Sequence, residues 1–352
     1  MLTILLPTKG RDAHTLRFLW HAAKIGLPWR VVVADGQVNP TVQRLCMTAP
    51  FARLGLDYLA CPPDTNLGCY FRKVRDALAL VKTPYVMLAD NDDFVVPAAI
   101  VRSIAFLERH PDYVAHGHGV AGFEIMPGPL VGRINRLRFP YGQYDRADDI
   151  SSAYPAVRVL GHYRNASLFY AVTRTEAMQA IWRDCADINF SDLQTHEVFC
   201  AMRLLTMGKA RIDHGAVSYV RQIGTSGTEH KGDWVTRLMR SDWSVDFKTV
   251  INRIASLLAR SGADYAACMN RLRGVLADEW LRPFLIREYG PSQMVKAKMR
   301  FAARFPTTVQ WAKRAQYRLA PPIVELDMRG IERTLSGPEF PARLAKYAPD
   351  LA

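Results

Sequence analysis

Residues 85–93, Tyr85-Val86-Met87-Leu88-Ala89-Asp90-Asn91-Asp92-Asp93, run from five apolar side chains straight into a cluster of three carboxylates. The apolar run is set off from the pattern before it by Thr83-Pro84, and it has the length and content of a buried strand. Two earlier stretches repeat the design: Leu2–Leu6 ends at Pro7, and Arg30–Ala34 ends at Asp35-Gly36. Between them Ala13–Gly26 has apolar spacing suited to a helix. A further strand is expected at Leu56–Ala60, then a loop over Pro62–Gly68 and a helix from Tyr70 to Val81. Strand, loop and helix in repeated order indicate an α/β domain with a mostly parallel sheet flanked by helices. In such sheets ligands sit beyond the carboxyl ends of the strands, which is where Asp90, Asp92 and Asp93 fall.

The later chain is less regular. Residues 94–110 read as helical, and Tyr113–Phe123 as strand-like with His116 and His118 on one side. Residues 126–150 read as a long loop rich in Gly, Pro, Arg and Asp, a type of segment that often carries function. Gly161–Val172 is expected to return to the sheet. Helices are expected at Thr175–Asp184 and Glu197–Met207, and a strand at Ala216–Arg221. From about Trp234 the pattern is helical, through Val250–Ala259, Tyr265–Ala277 and Val295–Leu319, with a break at Pro306. Three units follow from this pattern: 1–233, a basic helical region 234–320, and a tail 321–352.

Composition narrows the class. The 352 residues are 49 % hydrophobic and 22 % charged, which excludes disorder over most of the length. There is no run of about eighteen apolar residues, and MLTILLPTKGR turns polar too soon for a signal peptide, so a soluble cytoplasmic protein is expected. Six cysteines without a CxxC pair argue against a zinc knuckle or a disulfide scaffold. The net charge of +13 is uneven, since residues 247–352 hold 18 Lys and Arg against 9 Asp and Glu.

Adjacent carboxylates repel, so three in four positions call for a counter-charge. Hard divalent cations, Mn²⁺ or Mg²⁺, prefer oxygen ligands and commonly hold a substrate diphosphate together with one or two carboxylates. A cap on the helix beginning near Pro97 would need only one of the three. The order LTILLPTKGR, VVVADGQ, Asn66-Leu67-Gly68 with the helix Arg72–Leu80, and YVMLADNDD resembles the N-terminal half of family 2 nucleotide-sugar glycosyltransferases of the GT-A fold. The resemblance implies transfer of a sugar from a nucleotide-sugar donor to an acceptor hydroxyl, with the metal bridging the Asp-x-Asp motif and the diphosphate.

Carried onto this chain, the resemblance implies that Pro7 and Thr8 line the nucleotide pocket and Asp35 binds the base. It places Asn66 and Gly68 in the nucleotide loop and Arg72 or Lys73 near base and phosphates. Asp90 would lie near the ribose, with Asn91 beside it, and Asp92 would be the main metal ligand, supported by Asp90. Two departures stand out: Ala34 replaces the first of the usual two acids after the second strand, and Lys9-Gly10-Arg11 replaces a commoner motif. Inverting transfer needs a carboxylate to take the acceptor proton. His196-Glu197, followed by Arg203 and Gly208-Lys209, resembles the family's arrangement and favours Glu197 as that base, with Asp192 the second candidate. In the loop Gly224–Gly232, His230 would complete the metal shell, while Arg221 and Lys231 would meet the diphosphate.

Basic and aromatic residues alternate through Lys296, Lys298, Met299, Arg300, Phe301, Arg304, Phe305, Trp311, Lys313, Arg314, Tyr317 and Arg318. Such a helix fits either an anionic membrane surface or a domain packed on the core. The first suits an acceptor that is a lipid-linked saccharide or a cell-surface polysaccharide, with the protein peripheral to the inner face of the membrane. No DNA-binding motif is legible, which leaves base-modifying sugar transfer a minor alternative. Nucleotidyl transfer lacks its glycine-rich first loop here, and a non-catalytic scaffold would have no use for the intact acids.

Overall fold

A computed structural model describes residues 1–47, 51–125, 134–138, 148–163, 166–223, 240–275 and 300–319. Strands β1 (Leu2–Thr8), β2 (Arg30–Asp35), β3 (Leu56–Ala60) and β4 (Tyr85–Leu88) alternate with helices α1 (Asp12–Lys24), α2 (Pro40–Cys46) and α3 (Leu67–Ala79). Next come β5 (Phe94–Val95), α4 (Pro97–Arg109), β6 (Tyr113–Ile125), β7 (Ile134–Arg138), β8 (Asp148–Ile150) and α5 (Pro155–His162). The chain continues through β9 (Val172–Arg174), α6 (Thr175–Ile188), α7 (Leu193–Met207), β10 (Lys209–Gln222) and α8 (Ser241–Arg260).

All ten strands form one sheet of order β3-β2-β1-β4-β9-β6-β10-β5, with β7 on β6 and β8 on β10. The first four are parallel, as expected. Beyond β4 the sheet is mixed: β9 is antiparallel to both β4 and β6, and β6 and β10 are parallel. From β1 the chain steps outward to β2 and β3, then returns to the opposite side of β1 with β4. A crevice opens at such a switch point, beyond the strand ends.

Successive residues of the central strands feed two cores. Ile4, Leu6, Val31, Val33 and Met87 pack with Leu16, Leu19, Leu45 and Ile100 from α1, α2 and α4. Leu5, Val32, Val86 and Leu88 pack on the other face with Phe71, Val74, Ile181, Trp182 and Leu205 from α3, α6 and α7. Helix α8 puts Trp243, Val250, Ile254 and Leu258 into this second core.

The differences from expectation have local causes. Helix α3 begins at Leu67, not Tyr70, because the Asn66 side chain accepts from Cys69 N at 3.0 Å and caps it. Helix α7 begins at Leu193 rather than Glu197 for the same reason, with Asp192 as the cap. Helix α6 runs on to Ile188 and stops at Asn189, whose φ of 59° is left-handed. Phe94 and Val95 pair with β10 before α4 begins, and β10 spans fourteen residues, well beyond the expected strand. Among the described residues of Gly161–Val172 only the last reaches the sheet, since Ala166–Tyr170 form a 3-10 turn. The expected loop 126–150 contains β7 and β8, and its other residues lie outside the described ones, as do 224–239 and 320–352. No helix among the described residues is long and apolar enough to cross a membrane.

Candidate active site

A cavity of about 500 Å³ opens at the switch point. The end of β1 gives it Pro7, Thr8, Lys9 and Arg11. The β3–α3 loop and α3 add Asp64, Asn66, Leu67, Tyr70 and Lys73, and the turn after β4 adds Asp90, Asn91 and Asp92. Phe169, Leu193, His196, Glu197 and Arg221 complete the lining.

The acids after β4 are held from both sides. The Asp90 backbone N–H donates to the Tyr219 hydroxyl at 2.8 Å, and the Tyr170 hydroxyl donates to Asp90 Oδ2 at 3.2 Å. Those two rings stack with centroids 4.0 Å apart, and the Arg221 guanidinium lies over Tyr170 at 5.9 Å. Arg11 donates to Asp92 Oδ2 at 2.8 Å from a left-handed backbone, φ 57°, a conformation a non-glycine residue rarely holds without cause. Asn91 Nδ2 donates to Thr15 Oγ1 at 3.0 Å, and the Asp93 carboxylate accepts from Gln222 N at 2.7 Å. Arg17, fully buried on α1, donates to the Asp92 carbonyl at 2.7 Å and to Gln222 at 2.8 Å. Burial brings Arg17 down to about 10, so it remains a cation beneath the acids.

Asp90, Asp92 and Asp93 can bring one oxygen each within 4.8 Å of one another. Burial, then the Asp92 charge, raises Asp90 and raises Asp93 well above the usual carboxylate range. Asp93 Oδ2 is buried without a hydrogen-bond partner. Three hard oxygen donors that repel one another, one left unsatisfied, fit a divalent cation such as Mn²⁺ or Mg²⁺. None serves as a helix cap: α4 has Val96 at its cap position and no side-chain bond there.

Glu197 lines the same cavity from one turn into α7. Burial raises its carboxyl, and the Arg221 cation opposes that rise. His196 lines the cavity beside it, enclosed by Phe71, Trp182 and Phe190, with Nε2 3.3 Å from Cys200 Sγ. Asp192 is placed differently. Its Oδ2 accepts from Thr195 N at 2.9 Å and Thr195 Oγ1 at 3.2 Å, and it does not line the cavity. The preceding Ser191 is tied by N–H and hydroxyl to Asp246 of α8.

Three expected nucleotide ligands lie elsewhere. Asp35 is 2 % exposed, with Oδ1 bound by Gln37 N at 2.9 Å and Oδ2 by the Tyr58 hydroxyl at 2.7 Å, and it does not line the cavity. Of the pair Arg72 and Lys73, Arg72 points outward to Cys69 Sγ, while Lys73 is buried in the cavity wall. Gly68 is a packing residue: a Cβ there would come within 2.1 Å of Asn189 Oδ1. Asp64, Tyr70, His196, Phe169 and Arg17 were not expected from the sequence. His230 and Lys231 lie outside the described residues, as do Lys296, Lys298 and Met299. Phe301, Phe305 and Trp311 are solvent-exposed, next to exposed Arg300 and Arg304, rather than packed inside.

No family model matches the chain. Over 93 residues it is 29 % identical to an uncharacterized glycosyltransferase of Haemophilus influenzae, covering 26 % of this chain and 33 % of that protein. The chain thus spans about a third of the curated relative it matches. The crystal structure of S. aureus TarS superposes with a TM-score of 0.52 at 16 % identity, over 95 % of this chain and 54 % of TarS. TarS 1–349 in complex with UDP-GlcNAc superposes with a TM-score of 0.52 at 15 % identity, covering 90 % of this chain and 91 % of that one. The architecture is that of the GT-A fold, a Rossmann-like mixed sheet flanked by helices.

Proposed function

We propose that the protein is a metal-dependent, inverting glycosyltransferase that moves a sugar from a nucleotide-sugar donor to an acceptor hydroxyl. The observation that carries this is the convergence of two unlike acidic groups on one cavity: Asp90 and Asp92, which form a cluster with Asp93 at the strand edge, and Glu197 on α7. The fold shared with TarS, whose structures include UDP and UDP-GlcNAc, supports a UDP-linked donor. A saccharide of a surface polysaccharide or a lipid-linked saccharide is the proposed acceptor, and the exposed basic-aromatic surface at Arg300, Phe301, Arg304 and Phe305 suits an anionic membrane face.

Asp92 and Asp90 would hold the cation, with His230 as a further ligand. Bound there, Mn²⁺ or Mg²⁺ would supply charge stabilisation to a leaving diphosphate. The chain's own residues do the rest. Lys9, Arg11 and Arg221 put cationic groups on the cavity wall where an anionic donor would lie, and Lys231 would add to them. Pro7, Thr8, Asn66, Lys73 and Asn91 contribute the nucleotide-facing wall. Glu197, raised by burial and restrained by Arg221, takes the proton of the attacking hydroxyl.

The test pairs two variants with two readouts. Glu197→Gln is expected to abolish release of UDP from a UDP-sugar while leaving Mn²⁺-dependent UDP binding intact, and Asp92→Ala to lose both. Wild-type protein that releases pyrophosphate from a nucleoside triphosphate instead would assign nucleotidyl transfer.

A further inference from the structure

Helices α6 and α7 bring together three soft ligand groups that the sugar-transfer reading does not use. His196 and Cys200 stand four positions apart on one face of α7, and Cys185 meets them from α6, fifteen positions before Cys200. Cys185 Sγ and Cys200 Sγ are 3.7 Å apart, and His196 Nε2 lies 3.3 Å from Cys200 Sγ. One ligand atom of each residue lies within 4.8 Å of the other two. Cys185, His196 and Cys200 are 0 %, 1 % and 7 % exposed, and Phe71, Trp182 and Phe190 enclose the imidazole.

Ordinary core packing does not call for this grouping. A thiol is a weak donor and a weak acceptor, so sulfur is a poor partner for a buried imidazole nitrogen. The spacings are those of a coordination shell. Around a tetrahedral zinc ion, with Zn–S about 2.3 Å and Zn–N about 2.0 Å, two sulfurs stand about 3.8 Å apart and a sulfur and a nitrogen about 3.5 Å. Both observed distances lie close to those edges. Charge then selects the ion. Thiolate and imidazole ligands favour Zn²⁺ or Cu⁺ over the hard cations suited to the acids after β4. Two thiolates and a neutral imidazole around Zn²⁺ sum to no net charge, which an apolar core tolerates, whereas around Cu⁺ they leave a buried negative charge.

We infer that Cys185, His196 and Cys200 bind a zinc ion that ties α6 to α7 beside Glu197. Binding exchanges two thiol protons, released to solvent, for one Zn²⁺. Because the ligand atoms are enclosed, the ion is taken up as the two helices close on each other during folding, not through the cavity. The fourth position of the tetrahedron goes to a small ligand such as water, and a void of about 20 Å³ lined by Cys200, Phe169 and Trp182 has room for one. The cysteine spacing alone gives no hint of the site, which exists only because α6 and α7 pack side by side.

The test uses the full chain expressed in minimal medium supplied with Co²⁺ in place of Zn²⁺, so that the ion is present during folding, and then dialysed against EDTA to empty the oxygen site at the acids. Near-stoichiometric cobalt is expected, with thiolate-to-cobalt charge-transfer absorption that carboxylate ligands do not give. Protein from zinc medium treated in the same way is expected to retain zinc by elemental analysis. Asp92→Ala is expected to keep the band, and Cys185→Ala and Cys200→Ala each to lose it, with cobalt falling to background. Should an alanine variant fail to fold, the wild type still decides. Wild-type protein that holds neither zinc nor cobalt after EDTA, or that holds cobalt without the thiolate band, overturns the inference. A Cys185–Cys200 disulfide mapped by mass spectrometry in metal-free protein overturns it in favour of a redox pair. The nucleotide-sugar reading stands or falls separately, on UDP binding and release.

Discussion

Two acidic segments, one following β4 and one at the start of α7, contribute to the same cavity, and backbone geometry separates their roles. After β4 the carboxylates leave a parallel strand, where no helix N-terminus is present to take them. They gather around one point, and burial with mutual repulsion raises Asp90 and Asp93. Before α7 the first acid, Asp192, is consumed by the unpaired N–H groups of the helix it starts. Glu197, one turn further along, is free of that duty and reaches the cavity. Acids of similar sequence surroundings thus become a candidate cation site, a structural cap and a candidate base according to the element that carries them.

Substitutions can break this contrast. The largest effect is expected for Asp92→Ala, with transfer lowered by at least about 10²–10³-fold and metal-dependent donor binding lost, read by UDP release and calorimetry. Retained thermal stability would mark the turn as built for a ligand rather than for the fold. Glu197→Gln is expected to lower kcat by about 10²–10⁴-fold with donor affinity unchanged, whereas a large loss of affinity would place the residue in the donor site instead.

The pH profile sharpens the assignment further. Because burial raises Glu197, activity should climb with pH as that carboxyl loses its proton, with the acid limb above the usual carboxylate range. Arg221 opposes the rise, so Arg221→Gln should shift the limb to still higher pH in a plot of kcat/KM. A limb that stays put would separate Arg221 from the base. The smallest effect belongs to Asp192→Ala, expected to cost about 0.5–2 kcal/mol of stability through loss of the cap, with activity per folded molecule nearly unchanged. Thermal melts beside specific activity check it, and the opposite pattern would make Asp192 the base.

The parallel half of the sheet was legible because each of its strands is a short apolar run closed by a turn residue, and Asp90, Asn91 and Asp92 stand at the end of one of them. The far half was not, since β9 has only three residues and the sheet turns antiparallel around it. In the site, sequence and structure part where a side chain's surroundings depend on a distant partner. Asp35 follows a strand as a ligand would, but register sets Tyr58 on the neighbouring strand, opposite Val33, and its hydroxyl takes the carboxylate. Arg72 and Lys73 are equivalent in sequence, and only the packing of α3 turns one outward and the other in. Asp64 depends on the missing side chain of Gly36, twenty-eight positions away, and on Lys73 across the loop. Asp192 is drawn into capping by a helix that starts one residue later.

The most direct test of the account is titration of UDP into the protein with and without Mn²⁺, for the wild type and for Asp92→Ala. The expected result is binding by the wild type that strengthens with Mn²⁺ and a variant that has lost the metal dependence. Wild-type binding indifferent to Mn²⁺, or an Asp92→Ala variant that still responds to the metal as the wild type does, would contradict it.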